Sequence, residues 1–312
     1  MNQLYQDAMA IVRSKGTPNV FITITCDSHW PEIQCELKPG EKAEDRPDLI
    51  ARVFKMKLKA IMDYIIVSKI YGTVVAHIHT IEFQKRGLPH AHALFVLASE
   101  DKPRSPNEID EFVSAEIPDP ATHPILYDLV TKNMFHGPCG NVNLKCSCIV
   151  DGKCRFRFPR EFSAQTTLPN DEEVYPHYRR PNNGRTYTKP TNPNQGFVYD
   201  NRSVVPYNAL LLLMFRCHIN VEICSTVTAV KYLYKYIYKG PDRAVVSTAP
   251  STDTTDNEHQ ETILDEVRMY QAGRYIGSSE AAWRLFAFSL HEEFPHVQRL
   301  QIHLPGHEQI RF

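Results

Sequence analysis

Residues 82–95 read EFQKRGLPHAHALF, and they constrain the fold more than any other stretch of the chain. His90 and His92 flank Ala91 inside an otherwise apolar run. In an extended strand alternate side chains share a face, so both imidazoles project together while Ala91, Ala93 and Phe95 point into a core. The preceding segment, GTVVAHIHTIEFQ (72–84), also has strand composition, rich in Val, Ile and Thr. Lys85 to Pro89, with Gly87 in the middle, supplies the turn. A hairpin centred near Gly87 sets Gln84 opposite His90 and Glu82 opposite His92, with all four on one face. His77 and His79 have the opposite parity and belong to the other face. Two neutral imidazoles beside a carboxylate or amide form a mixed N/O set suited to Mg or Mn rather than to a closed structural zinc site. Taken alone, H-x-H is also compatible with two ordinary strand histidines.

The second constellation is KYLYKYIYKG (231–240). Thr226 to Lys239 lacks Pro and Gly, and Gly240 is placed as a C-cap, so a helix is expected. Tyr232 and Tyr236 are one turn apart and share a face. Tyr234 and Tyr238 form a second such pair, and Lys235 and Lys239 border the first. An aromatic-rich amphipathic helix accounts for the same residues. As chemistry, phenol with a pKa near ~10 is a poor nucleophile, which neighbouring ammonium groups improve by favouring phenolate.

Metal-binding H-x-H together with helical Tyr-x3-Tyr resembles the HUH endonucleases, the nickases of rolling-circle replication and transposition. Further blocks narrow the resemblance to the Rep domain of Helitron transposases, the "Helitron helicase-like" N-terminal domain. These are FITITCDSHWPEI (21–33), EFQKRGLPHAH (82–92), HGPCG (136–140), DGKCRFRFPR (151–160) and YPHYRR (175–180). NRSVVPYNALLLL (201–213), HINVEIC (218–224), the tyrosine block and RYIGSSEAAWRLFAF (274–288) follow in order.

The resemblance implies that His90 and His92 are metal ligands, with Glu82 the first choice and Gln84 the second for the polar residue that completes the set. It places the paired catalytic tyrosines on Tyr232 and Tyr236, with Lys235 and Lys239 stabilising charge or orienting the backbone. FITITC is then a central strand under the site. The implied reaction is metal-dependent nicking and strand transfer of single-stranded DNA through a 5′-phosphotyrosine intermediate. A catalytically silent, zinc-stabilised nucleic-acid-binding fragment of a decayed transposon is the alternative. A metal-dependent nuclease using water is a third, disfavoured by the tyrosine pair.

The composition fits a cored protein: 312 residues, 42% hydrophobic, with a net charge of −1. That balance excludes a global basic field, so DNA contact falls to local patches. One is KCRFRFPR (153–160), where Lys153, Arg155, Arg157 and Arg160 alternate with Phe156 and Phe158. A second gathers Arg179, Arg180, Arg185 and Lys189 among Tyr175, Tyr178 and Tyr187. Cations interleaved with aromatics suit single-stranded nucleic acid, and solvated loop charge is the other account. The acidic stretch from Glu100 to Glu116 is expected to face away from DNA.

Eight cysteines in a chain without a secretory signal argue for metal or free thiols rather than disulfides. His136, Cys139, Cys148 and Cys154 supply four soft or borderline ligands within nineteen residues, enough for a tetrahedral structural zinc site. Cys146 could replace one member, and unliganded loop thiols fit the same residues. Cys26, Cys217 and Cys224 read as small core residues.

The pattern of elements predicts an α+β fold, with an antiparallel sheet carrying the histidines, helices packed around it and a Cys/His-rich insertion. The resemblance implies that the sheet is the five-stranded HUH core. Helices are expected near 2–15, 47–70, from Ser105, 121–134, 261–273 and 279–288. Strands are expected at 18–26, across the hairpin 73–98, from about 197 with HINVEIC the best, and at 297–304. The domain reading is 1–135 as the first half, 136–196 as a basic Cys/His insertion and 197–312 as the second half. The longest apolar run, ALLLLMF (209–215), is too short to span a bilayer, so an intracellular, nuclear protein is expected. A helicase follows the Rep domain in the family. No G-x4-GK[ST] phosphate loop occurs here, so the helicase is expected to be absent and the chain to be a fragment.

Overall fold

The computed structural model describes residues 2–83, 88–140, 143–144, 146–169, 175–189, 197–224 and 276–298. Helix α1 (Asn2–Lys15) leads into strand β1 (Val20–Thr25), a short helix α2 (Pro31–Gln34) and the long helix α3 (Pro47–Ile66). The hairpin β2 (Val74–Phe83) and β3 (Pro89–Leu97) follows, then helices α4 (Pro106–Phe112) and α5 (Pro124–Asn133). Two small ladders pair β4 (Ile149–Val150) with β5 (Lys153–Cys154) and β6 (Tyr187–Thr188) with β7 (Val198–Tyr199). Helix α6 (Ala209–Phe215), strand β8 (Ile219–Ile223), helix α7 (Ser278–Leu285) and strand β9 (His291–Phe294) complete the described elements.

The five long strands form one antiparallel sheet in the order β8-β1-β3-β2-β9. The mixed α+β fold with a five-stranded antiparallel sheet is therefore as the sequence predicts. The pairing of β1 with β3 and β8 brings FITIT to the second position in the sheet, flanked on both sides.

Alternation along the strands creates two unlike faces. On one, Val20, Ile22, Ile24, Ala91, Ala93, Phe95 and Ile81 are buried against α3 and α7. Helix α3 presents Ile50, Phe54, Leu58, Ile61 and Ile65 at helical spacing to this layer. The Phe54 ring lies 6.1 Å from Trp283 of α7, and the Trp30 indole donates to the Phe215 carbonyl at 2.8 Å, tying α2 to α6. Truncating a fully buried ring such as Phe95 costs about 3–5 kcal/mol. On the other face, Ala8 and Ile11 of α1 cover Phe21, Ala76, Ile78, Leu94 and Val96. That lid covers the half of the face away from His90 and His92.

Local signals account for several boundaries. The Ser105 hydroxyl accepts from the Glu108 amide, and Glu108 accepts from the Ser105 amide, a reciprocal cap at the start of α4. The run ALLLLMF, read from sequence within a region of short strands, is helical. The Asn208 side chain accepts the Leu211 amide at 3.0 Å and caps it. Strand β9 (HEEF) was not expected. The tyrosine helix, the 261–273 helix and most of the 297–304 strand lie outside the described residues.

Candidate functional site

The histidines sit where the parity argument places them. Thr23 pairs with His92 and Thr25 with His90 across β1 and β3. The Thr25 hydroxyl is 2.9 Å from His90 Nδ1, and the Thr23 hydroxyl is 3.1 Å from His92 Nδ1. Each imidazole is thus held by its Nδ1 edge from the neighbouring strand. A proton kept on Nδ1 leaves Nε2 as a bare donor to a cation. Phe21 stacks on His92 at a centroid distance of 5.9 Å and backs the ring with an apolar wall.

Strand β2 supplies the carboxylate with a register unlike the predicted one. Glu82 pairs with His90, and Thr80 with His92. The strands end at Phe83 and Pro89, so the connection is centred one residue earlier than Gly87. The shift moves each partner by two positions, which preserves the face. Glu82 Oε2 still reaches His92 Nε2 at 3.6 Å along the diagonal. Glu82 Oε1 is buried without a hydrogen-bond partner among the described residues, an uncommon state for a carboxylate oxygen and one that a ligand would relieve. Gln84, Tyr232, Tyr236, Lys235 and Lys239 lie outside the described residues.

The same face continues across β8 with Asn220 and Glu222, opposite Thr23 and Phe21, and with His218 just before the strand. Burial pushes the His90 imidazole down to about 3, with His92 and His218 adding repulsion. His90 is therefore neutral, as a metal ligand requires. Burial drives the Glu222 carboxyl up to about 7, opposed by Tyr178, Arg160, Arg180 and Asn220. His77 and His79 lie on the opposite face, as predicted. His79 is buried, with Glu292 Oε2 at 3.9 Å.

The second cluster is the predicted quartet. One ligand atom from each of His136, Cys139, Cys148 and Cys154 lies within 4.8 Å of all the others. Among the described residues no other set of three or more His, Cys, Asp or Glu is so tight. Three sulfurs and one imidazole fit a tetrahedral zinc ion, so this group could bind a metal such as zinc. Cys146 stands outside it, its thiol donating to the Pro138 carbonyl at 3.1 Å. Burial raises the Cys139 thiol to about 12, assisted by Cys154 and Cys148. At Cys154 burial also acts upward, but the Phe158 and Phe156 amides aimed at its sulfur bring it below the ordinary thiol value. Burial and then Arg160 lower His136 to about 4.

The basic residues divide. Lys153, Arg155 and Arg157 are exposed, and Arg160 is half-buried. Arg180 departs from its predicted DNA-binding role: it is buried and donates to the carbonyls of Asn201 (2.6 Å), Val204 (2.7 Å) and Ala115 (3.4 Å). A guanidinium that satisfies three buried carbonyls is a structural cross-brace. Arg179 pairs with Glu116 at 2.6 Å and Arg185 with Asp119 at 3.0 Å. These ties bring part of the acidic stretch against the second basic patch.

Sequence reasoning missed Thr23 and Thr25, whose role depends on the pairing of segments about 65 residues apart. It also missed the β4–β5 turn, where Asp151 and Gly152 both adopt positive φ (50° and 74°). An Asp-Gly dipeptide between short strands is a strong signal for that turn.

Comparison with known families adds one match. Residues 1–95 match the family model described as the Helitron helicase-like domain at N-terminus. The matched Helitron helicase-like stretch runs from α1 through His90 and His92 to Phe95, so it contains the whole histidine constellation. It supports a Helitron-transposase-related function for the chain. No curated protein matches the chain. Among the described residues no helix is long and apolar enough to cross a membrane.

Proposed function

We propose that this chain is a Rep-type module of the HUH class that nicks and transfers single-stranded DNA in Helitron-type rolling-circle transposition. The observation that carries the proposal is the shared face of His90, His92 and Glu82, with both Nδ1 atoms engaged by threonines and Glu82 Oε1 unpartnered. The Helitron match over residues 1–95 supports it.

In this reading His90, His92 and Glu82 hold one Mg or Mn ion, with Gln84 the second choice for the third ligand. The bound ion supplies Lewis-acid polarisation of a DNA phosphate. Thr23 and Thr25 fix the ring planes and the tautomer, while Phe21 keeps water from one side of His92. A phenolate oxygen of Tyr232 or Tyr236 forms the P–O bond, and the bond to the 3′ oxygen breaks. The products are a 5′-phosphotyrosine and a 3′ alkoxide, which takes up a proton to become the 3′-hydroxyl. Because the phosphodiester is exchanged rather than hydrolysed, a strand-end hydroxyl can reverse the step without ATP. Two tyrosines four residues apart in the sequence allow two successive transfers. Lys235 and Lys239 offset charge on the phosphate.

The test is incubation with a labelled single-stranded oligonucleotide and Mn, followed by denaturing electrophoresis. A protein–DNA adduct that disappears in the Tyr232→Phe/Tyr236→Phe double variant, while non-covalent DNA binding persists, is the expected result. Adduct formation undiminished in the double variant rejects the assignment.

A further inference from the structure

The segment from Cys148 to Arg160 has an exposed side that the nicking chemistry leaves unused. Its turn follows β4 and β5, then a tight knuckle in which the Arg157 amide donates to the Cys154 carbonyl at 2.8 Å, with Arg157 at φ 58°. The Arg155 amide donates to the Cys148 carbonyl at 2.8 Å. The His/Cys3 group therefore fastens the segment at its start and its middle, through Cys148 and Cys154.

Alternation sorts the side chains. Phe156 and Phe158 turn inward onto His136, at centroid distances of 5.6 and 4.4 Å. Lys153, Arg155 and Arg157 are exposed, with the Arg155 guanidinium 4.7 Å over the Phe156 ring. Six other arginines of the molecule are tied to carboxylates: Arg46 and Arg52 to Asp48, Arg179 to Glu116, Arg185 to Asp119, Arg202 to Asp200 and Arg284 to Glu280. Lys153, Arg155 and Arg157 pair with no carboxylate among the described residues. Three unneutralised cations on one short, braced segment stand out in a chain of net charge −1.

The position of the segment matters as much as its charge. His218, just before β8, accepts from the Thr25 amide at 3.0 Å, and its Nδ1 lies 2.8 Å from the carbonyl of Asn133, three residues before His136. The Arg160 amide donates to the Arg202 carbonyl at 2.9 Å, and four residues on the Pro206 carbonyl accepts from the Val221 amide of β8 at 3.0 Å. The braced segment therefore borders the β8 edge of the face that carries His90 and His92.

We infer that Lys153, Arg155 and Arg157 form a phosphate rail for single-stranded DNA, held in shape by metal on His136, Cys139, Cys148 and Cys154, beside the histidine face. The inference rests on the nicking reading for the path of the strand. Because the phenylalanines are engaged with His136, the rail contacts backbone phosphates and offers no platform for base stacking. This departs from the stacking role that the interleaved sequence suggested. It predicts binding that depends on salt and not on bases.

Anisotropy of a labelled single strand, titrated across salt concentrations, tests this with the full chain and a Lys153→Gln/Arg155→Gln/Arg157→Gln variant of unchanged melting temperature. With three contacts at a slope of about −0.7 each, the dependence of log affinity on log salt should flatten by about 2. The same change is expected with an abasic strand, and no change with Arg179→Gln, whose cation is already paired. An unchanged slope in the triple variant, or a decrement confined to strands with bases, overturns the rail. For the brace, Cys148→Ser should release bound zinc and remove amide-exchange protection over 146–160. Protection retained without zinc overturns that part. Adduct formation is scored in parallel: an adduct with an unchanged slope sinks the rail alone. A flattened slope with no wild-type adduct sinks the nicking reading and leaves the phosphate contacts standing.

Discussion

The hairpin β2–β3 carries two H-x-H pairs, and the sheet treats them in opposite ways. His90 and His92 share a face with Thr23, Thr25 and Glu82, and each Nδ1 meets a hydroxyl. His77 and His79 face the other side. His79 is buried with neither ring nitrogen hydrogen-bonded among the described residues, Glu292 Oε2 standing 3.9 Å away, and the His77 ring stacks on Phe294 at 5.8 Å. One motif, placed on opposite faces of one sheet, meets two hydroxyls and a carboxylate in the first case and mainly buried packing in the second. The spacing of two histidines is therefore not the signal; the strand parity and the cross-strand neighbours are.

The contrast is broken most severely at His90 and His92. His90→Ala/His92→Ala should lower covalent DNA capture by about 10³-fold or more, the scale of several kcal/mol of metal-derived stabilisation. His77→Ala should leave capture within a few-fold of wild type. Equal losses in gel-based adduct assays of the two variants would erase the distinction.

Removing the threonine partners sharpens it. Thr23→Val/Thr25→Val retains shape but takes away the hydroxyls, and Mn affinity measured by calorimetry should weaken about 10–100-fold, as for other partners of metal-binding histidines. An unchanged affinity would show that the hydroxyls do not orient the rings.

The smallest effect lies on the buried side. Burial lowers His79 to about 4, against an ordinary value of 6.5. Between those two pH values the unfolded chain takes up a proton that the folded chain refuses. Stability is thus greatest above pH 6.5 and is lost as pH falls towards 4, by at most about 1.4 kcal/mol per pH unit from this group. His79→Leu should flatten that fall and raise stability at neutral pH by about 1 kcal/mol, because a leucine leaves no unpaired nitrogen. Urea unfolding at pH 7, 5.5 and 4.5 reads both quantities. A steeper decline in the variant would contradict the origin given for it.

What was legible in the sequence is what depends on short-range periodicity. The side-chain period of a strand put His90 and His92 on one face and Ala91, Ala93 and Phe95 in the core. Ligand chemistry over nineteen residues picked out His136, Cys139, Cys148 and Cys154 and left Cys146 as a spare. The reciprocal cap at Ser105 and Glu108 is equally local. What escaped depends on distant segments meeting. Thr23 and Thr25 acquire a role only once β1 lies beside β3. Arg180 read as a surface cation because nothing nearby in sequence announces the carbonyls it satisfies. The ALLLLMF run shows neither strand alternation nor a helix-long pattern, and its Asn208 cap was the available clue. Strand β9 is polar and lies at the sheet edge, where pairing with β2 rather than composition makes it a strand.

The most direct test of the account is electron spin-echo spectroscopy of the Mn-loaded chain. Nitrogen couplings from two imidazoles are predicted, abolished by His90→Ala/His92→Ala and kept in His77→Ala. Bound Mn without nitrogen coupling, or couplings that survive the double substitution, would contradict it.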